Sequence, residues 1–128
     1  MAIRMMQFSA FYFVIGVLMG MGMSMAENYE LTPVHVHLNL LGWVSMALGG
    51  ILYHLFPQAA ESRLGKWHFW LHVIGIPLMM VGLAVVILMG DAAEAFGIVI
   101  PVGGTLIVNG LGYLLIFGGT QRSLEIRS

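Results

Sequence analysis

The sequence has no cysteine, which excludes disulfides, iron–sulfur clusters and thiolate ligands from its chemistry. Charge is nearly as scarce: 9% of the 128 residues are Asp, Glu, Lys or Arg, where a soluble domain carries roughly a quarter. Too few polar side chains remain to wet a surface. A formal net charge of −1 leaves no electrostatic basis for binding nucleic acid. A polar linker, a low-complexity tail and strands of alternating polarity are also missing, so the chain reads as one domain and not as a β-barrel.

What is present is apolar: 59% of the residues are hydrophobic. They gather in four runs, residues 8–25, 34–56, 67–89 and 95–118, each close to the ~20 residues a helix needs to cross hydrocarbon. An open sheet would leave backbone groups unpaired in lipid, so the runs are expected to be helices. The fold class that follows is an all-α integral membrane four-helix bundle, with short connections that make consecutive helices antiparallel neighbours. Thr32 is expected to cap the second helix with Pro33 at its first position, and Pro57 stands just beyond the far end of that run. Gly90 closes the third run, and Asp91 with Glu94 reads as a capping box opening the fourth. Pro77 and Pro101 lie inside runs and predict local kinks. The 17 glycines, Gly49-Gly50 and Gly103-Gly104 among them, are read as close helix contacts.

The charges orient the bundle. Arg4 precedes the first run, Arg63 and Lys66 lie between the second and third, and Arg122 and Arg127 follow the fourth. Four spans bring these three places to one side. Glu27, Glu30, Asp91 and Glu94 fall on the other, without a basic residue. The positive-inside rule then predicts a multi-pass protein of the cytoplasmic (inner) membrane with both termini cytoplasmic. Arg4, the apolar stretch and Ser24-Met25-Ala26 also fit a cleavable signal peptide; retention of the first run as a span is the expectation here.

Ionisable groups near or inside spans are the first places to look for chemistry, because lipid makes them costly without a partner. On a helix turning ~100° per residue, His35 and His37 point about 200° apart, so one helix cannot bring both to one metal. They suit a helix wedged between two cofactors, or an oligomer in which each protomer offers a histidine to either side. His68 and His72 form an i, i+4 pair on one face and can grip one ion or line one pocket, with His54 at the facing end of the neighbouring helix able to join them. Wetting by headgroup water is the competing account for His54 and His68. For His72 the alternatives are a quinone or second-metal residue and hydrogen-bonded packing. The 11 methionines keep no fixed spacing to a histidine and read as lipid-facing filler and packing rather than copper ligands. Asn109, inside the fourth run, is expected to hydrogen-bond across helices, with a pathway residue as the alternative.

The strings HVHLNLLGW from His35 to Trp43, LYHLFP from Leu52 to Pro57 and WHFWL from Trp67 to Leu71 resemble, in order and spacing, the tenth and eleventh helices of haem-copper oxidase subunit I, most of all its cbb-type branch. The whole chain looks like the last third of that twelve-helix subunit. The resemblance implies that His35 is the axial ligand of a high-spin, gas-binding haem and His37 a ligand of a low-spin haem. It also implies what is missing, since the family's second low-spin ligand and its copper ligands come from earlier helices. The subunit is built as three four-helix arcs about a pseudo-threefold axis, so one arc made as a separate chain is expected to reassemble as a homotrimer, with a dimer as the alternative.

The leading expectation is therefore a membrane protein that binds haem b for electron transfer, with a redox partner, or for holding a diatomic gas such as oxygen or nitric oxide. An enzyme reading, a reduced oxidase or nitric oxide reductase with a second metal such as copper, is lowered by the lack of a copper cluster and of an acidic residue deep in a span. A third reading is a non-catalytic accessory subunit.

Overall fold

The computed structural model describes residues 1–127; the side chains of Arg122 and Arg127, counted above among the inner-face cations, lie outside those it describes. The chain forms helix α1 (Ala2–Ala26), α2 (Thr32–Leu55), the short α3 (Pro57–Glu61), α4 (Arg63–Met89), a 3-10 segment (Gly90–Ile98) and α5 (Val99–Arg127). No strand occurs among the described residues. Four helices are long and apolar enough to cross a membrane: Ala2–Ala26, Thr32–Leu55, Arg63–Met89 and Ala93–Tyr113. The protein is a multi-pass all-α membrane bundle.

The contacts fix the topology as up-down-up-down. Between α1 and α2, Met5 lies against Gly49, Tyr12 against Gly42, and Gly20 against His35, so numbers rise on one helix as they fall on the other. Ser45 meets His72 and Tyr53 meets His68 across α2 and α4, and Gly75 meets Gly103 while His68 meets Gly110 across α4 and α5. Each pair is antiparallel. Arg4 consequently lines a groove with Phe69, Trp70 and Val73 at one end, whereas Asn28, Glu30 and Leu88 line another at the opposite end. The core is thin. Met5, Met46, Tyr53, Ile76, His68 and His72 are its fully buried large side chains, and much of the remainder, Phe11, Leu18, Leu48, Val81 and Val108 among them, is exposed and apolar, as a lipid-facing surface requires.

Helix ends show where local sequence rules held. Pro57 follows Phe56, the residue that ends α2 with non-helical dihedrals, and opens α3. Gly90 ends α4 at a φ of 55°, in the left-handed region where a side chain is strained, with its N–H bonded to the Val86 carbonyl. Thr32 is not the cap expected of it: the helix begins one residue earlier, and the threonine hydroxyl donates to the Tyr29 carbonyl at 2.6 Å. Pro33 is then the second helical residue, still in the turn where no N–H partner is needed. The Asp91–Glu94 capping box does not form. Those residues lie within the 3-10 segment, which has no side-chain cap bond at its start. Pro101 falls in the first turn of α5, where its missing N–H leaves no bond within that helix unmade. Pro77 lies inside α4, which runs through it as a helix.

One feature was not signalled by the sequence. From Leu38 to Val44 the chain of α2 widens into a π-helix, closed by Ser45 N–H bonding to Leu40 O, an i to i+5 step. Segments of this kind recur at functional sites, and this one begins directly after His37.

Candidate functional site

The first site is built on the opening turns of α2. His35 and His37 are both half-buried and lie in its α-helical part, Thr32–His37, where the 100° step turns them to opposite sides. The Nδ1 of His37 is 2.7 Å from the Pro33 carbonyl oxygen. A carbonyl can only accept, so Nδ1 carries the proton and Nε2 presents its lone pair. That is the tautomer that ligates a metal, held by an outer hydrogen bond. A lone imidazole of this form fits one axial position of haem iron. His35 is turned toward α1: a Cβ at Gly20 would lie 3.0 Å from its Cε1, so the glycine makes the seat for the ring. The Asn39 amide donates to the His35 carbonyl at 2.8 Å and approaches its Nδ1 at 3.4 Å, while a Cβ at Gly16 would lie 2.6 Å from Asn39 Oδ1. The His35 ring thus rests inside the α1–α2 contact, and that of His37 lies outside it.

The second cluster lies deeper. His68 and His72 are 1% and 0% exposed, with ring centroids 5.3 Å apart and planes inclined at 61°. Headgroup water does not reach them, so the wetting account of His68 is set aside. The structure brings these two together and leaves His54 exposed, outside the cluster. In its place the neighbouring Tyr53 sets its hydroxyl 2.6 Å from His68 Nδ1 and 3.2 Å from the Gly65 carbonyl. Ser45 places Oγ 2.7 Å from His72 Nε2 and donates to the Leu41 carbonyl. Among the described residues no group of three or more His, Asp or Glu side chains is arranged to hold a metal.

Tyr53 and Ser45 are the participants that the sequence reading missed. A signal was available: Ser45, Gly49 and Tyr53 recur at every fourth residue of α2, a polar, small, polar stripe that an antiparallel neighbour carrying His68 and His72 would meet. Asn109 does not bond across helices as expected. It is exposed, and its amide donates to Thr105 O of its own helix at 2.8 Å.

Comparison with known proteins gives this geometry a context. An alignment of 61 residues is 39% identical to cytochrome c oxidase subunit 1 of Rhodobacter capsulatus, covering 43% of this chain and 12% of that protein. Over 61 residues the chain is 42% identical to the Cbb3-type cytochrome c oxidase subunit CcoN1 of Stutzerimonas stutzeri, covering 43% and 13%. The cytochrome c oxidase subunit 1 homolog, bacteroid, of Bradyrhizobium diazoefficiens is 38% identical over 61 residues, covering 43% and 11%. No family model and no solved structure matches the chain. The similarity therefore reaches only a small part of each relative's length, while within this four-span membrane chain it marks out a haem-copper oxidase subunit I-like segment.

Proposed function

We propose that this chain is a b-type haem protein of the inner membrane, serving electron transfer or the binding of a diatomic gas, with His37 and His35 as axial ligands. The observation that carries the reading is the His37 ring, whose Nδ1 is tied to the Pro33 carbonyl at 2.7 Å, so that Nε2 is the nitrogen with the lone pair. Pro33 is suited to this role, because its fixed φ holds the first turn and so holds the carbonyl that orients the imidazole. His35, seated on Gly20, offers a second imidazole on the opposite side of the same helix. Haem bound here would supply a one-electron couple, and an iron with one protein ligand would add gas binding.

The matched segment is 11–13% of the length of the relatives above. Because a single chain provides two diverging histidines, the working unit is proposed to be a homotrimer. In a closed threefold ring each α2 would lie between like neighbours. Arg4, Arg63 and Lys66 gather at one end of the bundle, and Glu27, Glu30, Asp91 and Glu94 at the other, which supports cytoplasmic termini.

Optical spectroscopy of the detergent-purified chain tests the reading. The expected outcome is a reduced b-type spectrum that His37→Ala abolishes and His35→Ala alters, with carbon monoxide shifting the reduced bands if a coordination position is open. A chain that remains colourless after haem reconstitution would overturn the proposal in favour of an accessory subunit. Native mass spectrometry checks the trimer, and a clean dimer would remove that part alone.

A further inference from the structure

The buried histidine pair is not used by the haem reading, and its hydrogen bonds follow a direction. Ser45 donates to the Leu41 carbonyl, so its oxygen accepts from His72 Nε2–H at 2.7 Å; the same N–H lies 3.4 Å from Leu41 O. His72 Nδ1 is then a bare lone pair. At the other end the shortest contact of the Tyr53 hydroxyl, 2.6 Å, is to His68 Nδ1. The single hydroxyl hydrogen, donated along this contact with the Gly65 carbonyl at 3.2 Å as its weaker second acceptor, leaves the proton of His68 on Nε2. His68 Nε2 and His72 Nδ1, one donor and one acceptor on adjacent rings, are the buried side-chain atoms without a hydrogen-bond partner among the described residues. Both rings are closed off from solvent, where an unpaired polar atom costs about 1–3 kcal/mol. Small residues face the two carbons that flank His68 Nε2: Cβ atoms at Gly49 and Gly110 would lie 3.5 Å from its Cε1 and 3.3 Å from its Cδ2, with the Met5 methyl 2.6 Å from the Gly49 position.

We propose that Tyr53, His68, His72 and Ser45 form a proton-transfer chain inside each protomer, completed by one water that accepts from His68 Nε2 and donates to His72 Nδ1. A buried water bridging otherwise unpaired groups is a normal component of a folded protein. The chain begins under the inner face, because the Tyr53 hydroxyl also touches the carbonyl of Gly65, the third residue of α4. It ends at His72, whose Nε2–H is held by Ser45, the residue that follows the π-helix. A proton delivered to the Tyr53 oxygen displaces the hydroxyl proton onto His68 Nδ1. The Nε2 proton of His68 passes to the water, and the water gives one of its own to His72 Nδ1. Every O–H or N–H bond broken is replaced by one formed, and the net result is one positive charge on the His72 ring. This path does not depend on haem being bound.

The test is solid-state NMR of the whole chain, labelled with 15N-histidine and reconstituted in lipid bilayers. Both rings are expected as neutral Nε2–H tautomers, with a water cross-peak at His68 Nε2, and with ring protons that exchange with deuterated buffer faster than the backbone amides of the same turn. Tyr53→Phe removes the entry group and is expected to slow ring-proton exchange about a hundredfold, the low end of what a positioned proton-transfer group contributes. Ser45→Ala, beyond the two rings, should leave exchange at His68 unchanged. If the cluster only packs the helices, Tyr53→Phe loosens it and exchange stays level or quickens, which overturns the proposal. So does an Nδ1–H tautomer at His68 in the unaltered chain, a result that needs no variant to fold. Copper or zinc found by X-ray absorption on both histidines would also overturn it, since the metal would occupy the nitrogens the water bridges.

Discussion

At the scale of single residues, the two histidines of α2 are separated by what surrounds them. His35 rests on Gly20, and a Cβ there would press on the ring at 3.0 Å; His37 is tied to its own helix through Pro33. Gly20→Val is therefore expected to displace the His35 ring and to change the absorption features that depend on His35 while sparing those lost in His37→Ala. Difference spectra of the three variants check this, and a Gly20→Val spectrum identical to the parent would mean that His35 carries no ligand. The opposed directions of these residues were legible in the sequence, because a helix converts a spacing of two into opposite faces without reference to any neighbour. The partners of the deeper pair were not. Tyr53 and Ser45 lie 15 and 27 residues from His68 and His72, and which of Tyr53 and His54 turns inward depends on how α2 is rotated against α4. The sequence does not set the azimuth of His54, and in the structure it is exposed and apart from His68 and His72.

At the scale of elements, close contact between α4 and α5 is what encloses the pair from one side. A Cβ at Gly103 would lie 2.7 Å from Met79 N and 2.8 Å from Gly75 O. These are backbone atoms, which cannot swing aside as a side-chain terminus can. Gly103→Val should thus force the two helices apart, at a cost of about 1–3 kcal/mol for an overpacked contact, read as a lower unfolding midpoint in a detergent-denaturant titration. Gly104→Val is the control, because the nearest atom to a Cβ there is Met79 Sδ at 3.9 Å. Equal losses in the two variants would mean that helix propensity, not contact, sets the effect. The glycine pair announced this contact in the sequence without saying which member made it. The π-helix of Leu38–Val44 was silent, since it contains no proline and its register is set by packing against α1, where Ser9 donates to Trp43 O at 2.9 Å. The failed capping box at Asp91 has a similar cause. The segment tightens into 3-10 turns that offer a side-chain cap no free α-helical start.

At the scale of the whole molecule, the absence of cysteine provides a clean background for labelling. Glu30→Cys is expected to react with a membrane-impermeant maleimide from the outer side of spheroplasts, and Ser62→Cys only after the membrane is opened; the reverse pattern would invert the proposed orientation. Assembly can be tested at Asn109. Its side chain is exposed within the fourth span, and a polar group facing lipid is costly unless something covers it. The bond to Thr105 O uses one amide hydrogen and leaves the other hydrogen and the carbonyl oxygen to be satisfied from outside the protomer. A neighbouring protomer in a threefold ring would supply that cover, through interhelical bonds worth about 0.6 kcal/mol on average and more in favourable cases. Asn109→Leu should then shift the chain from trimer toward monomer in native mass spectrometry. Because His35 and His37 diverge, a haem held between protomers would weaken in the same variant although Asn109 lies on a different helix. A trimer unchanged by Asn109→Leu would place this face toward lipid, and the ring would have to close through α1 and α2 instead.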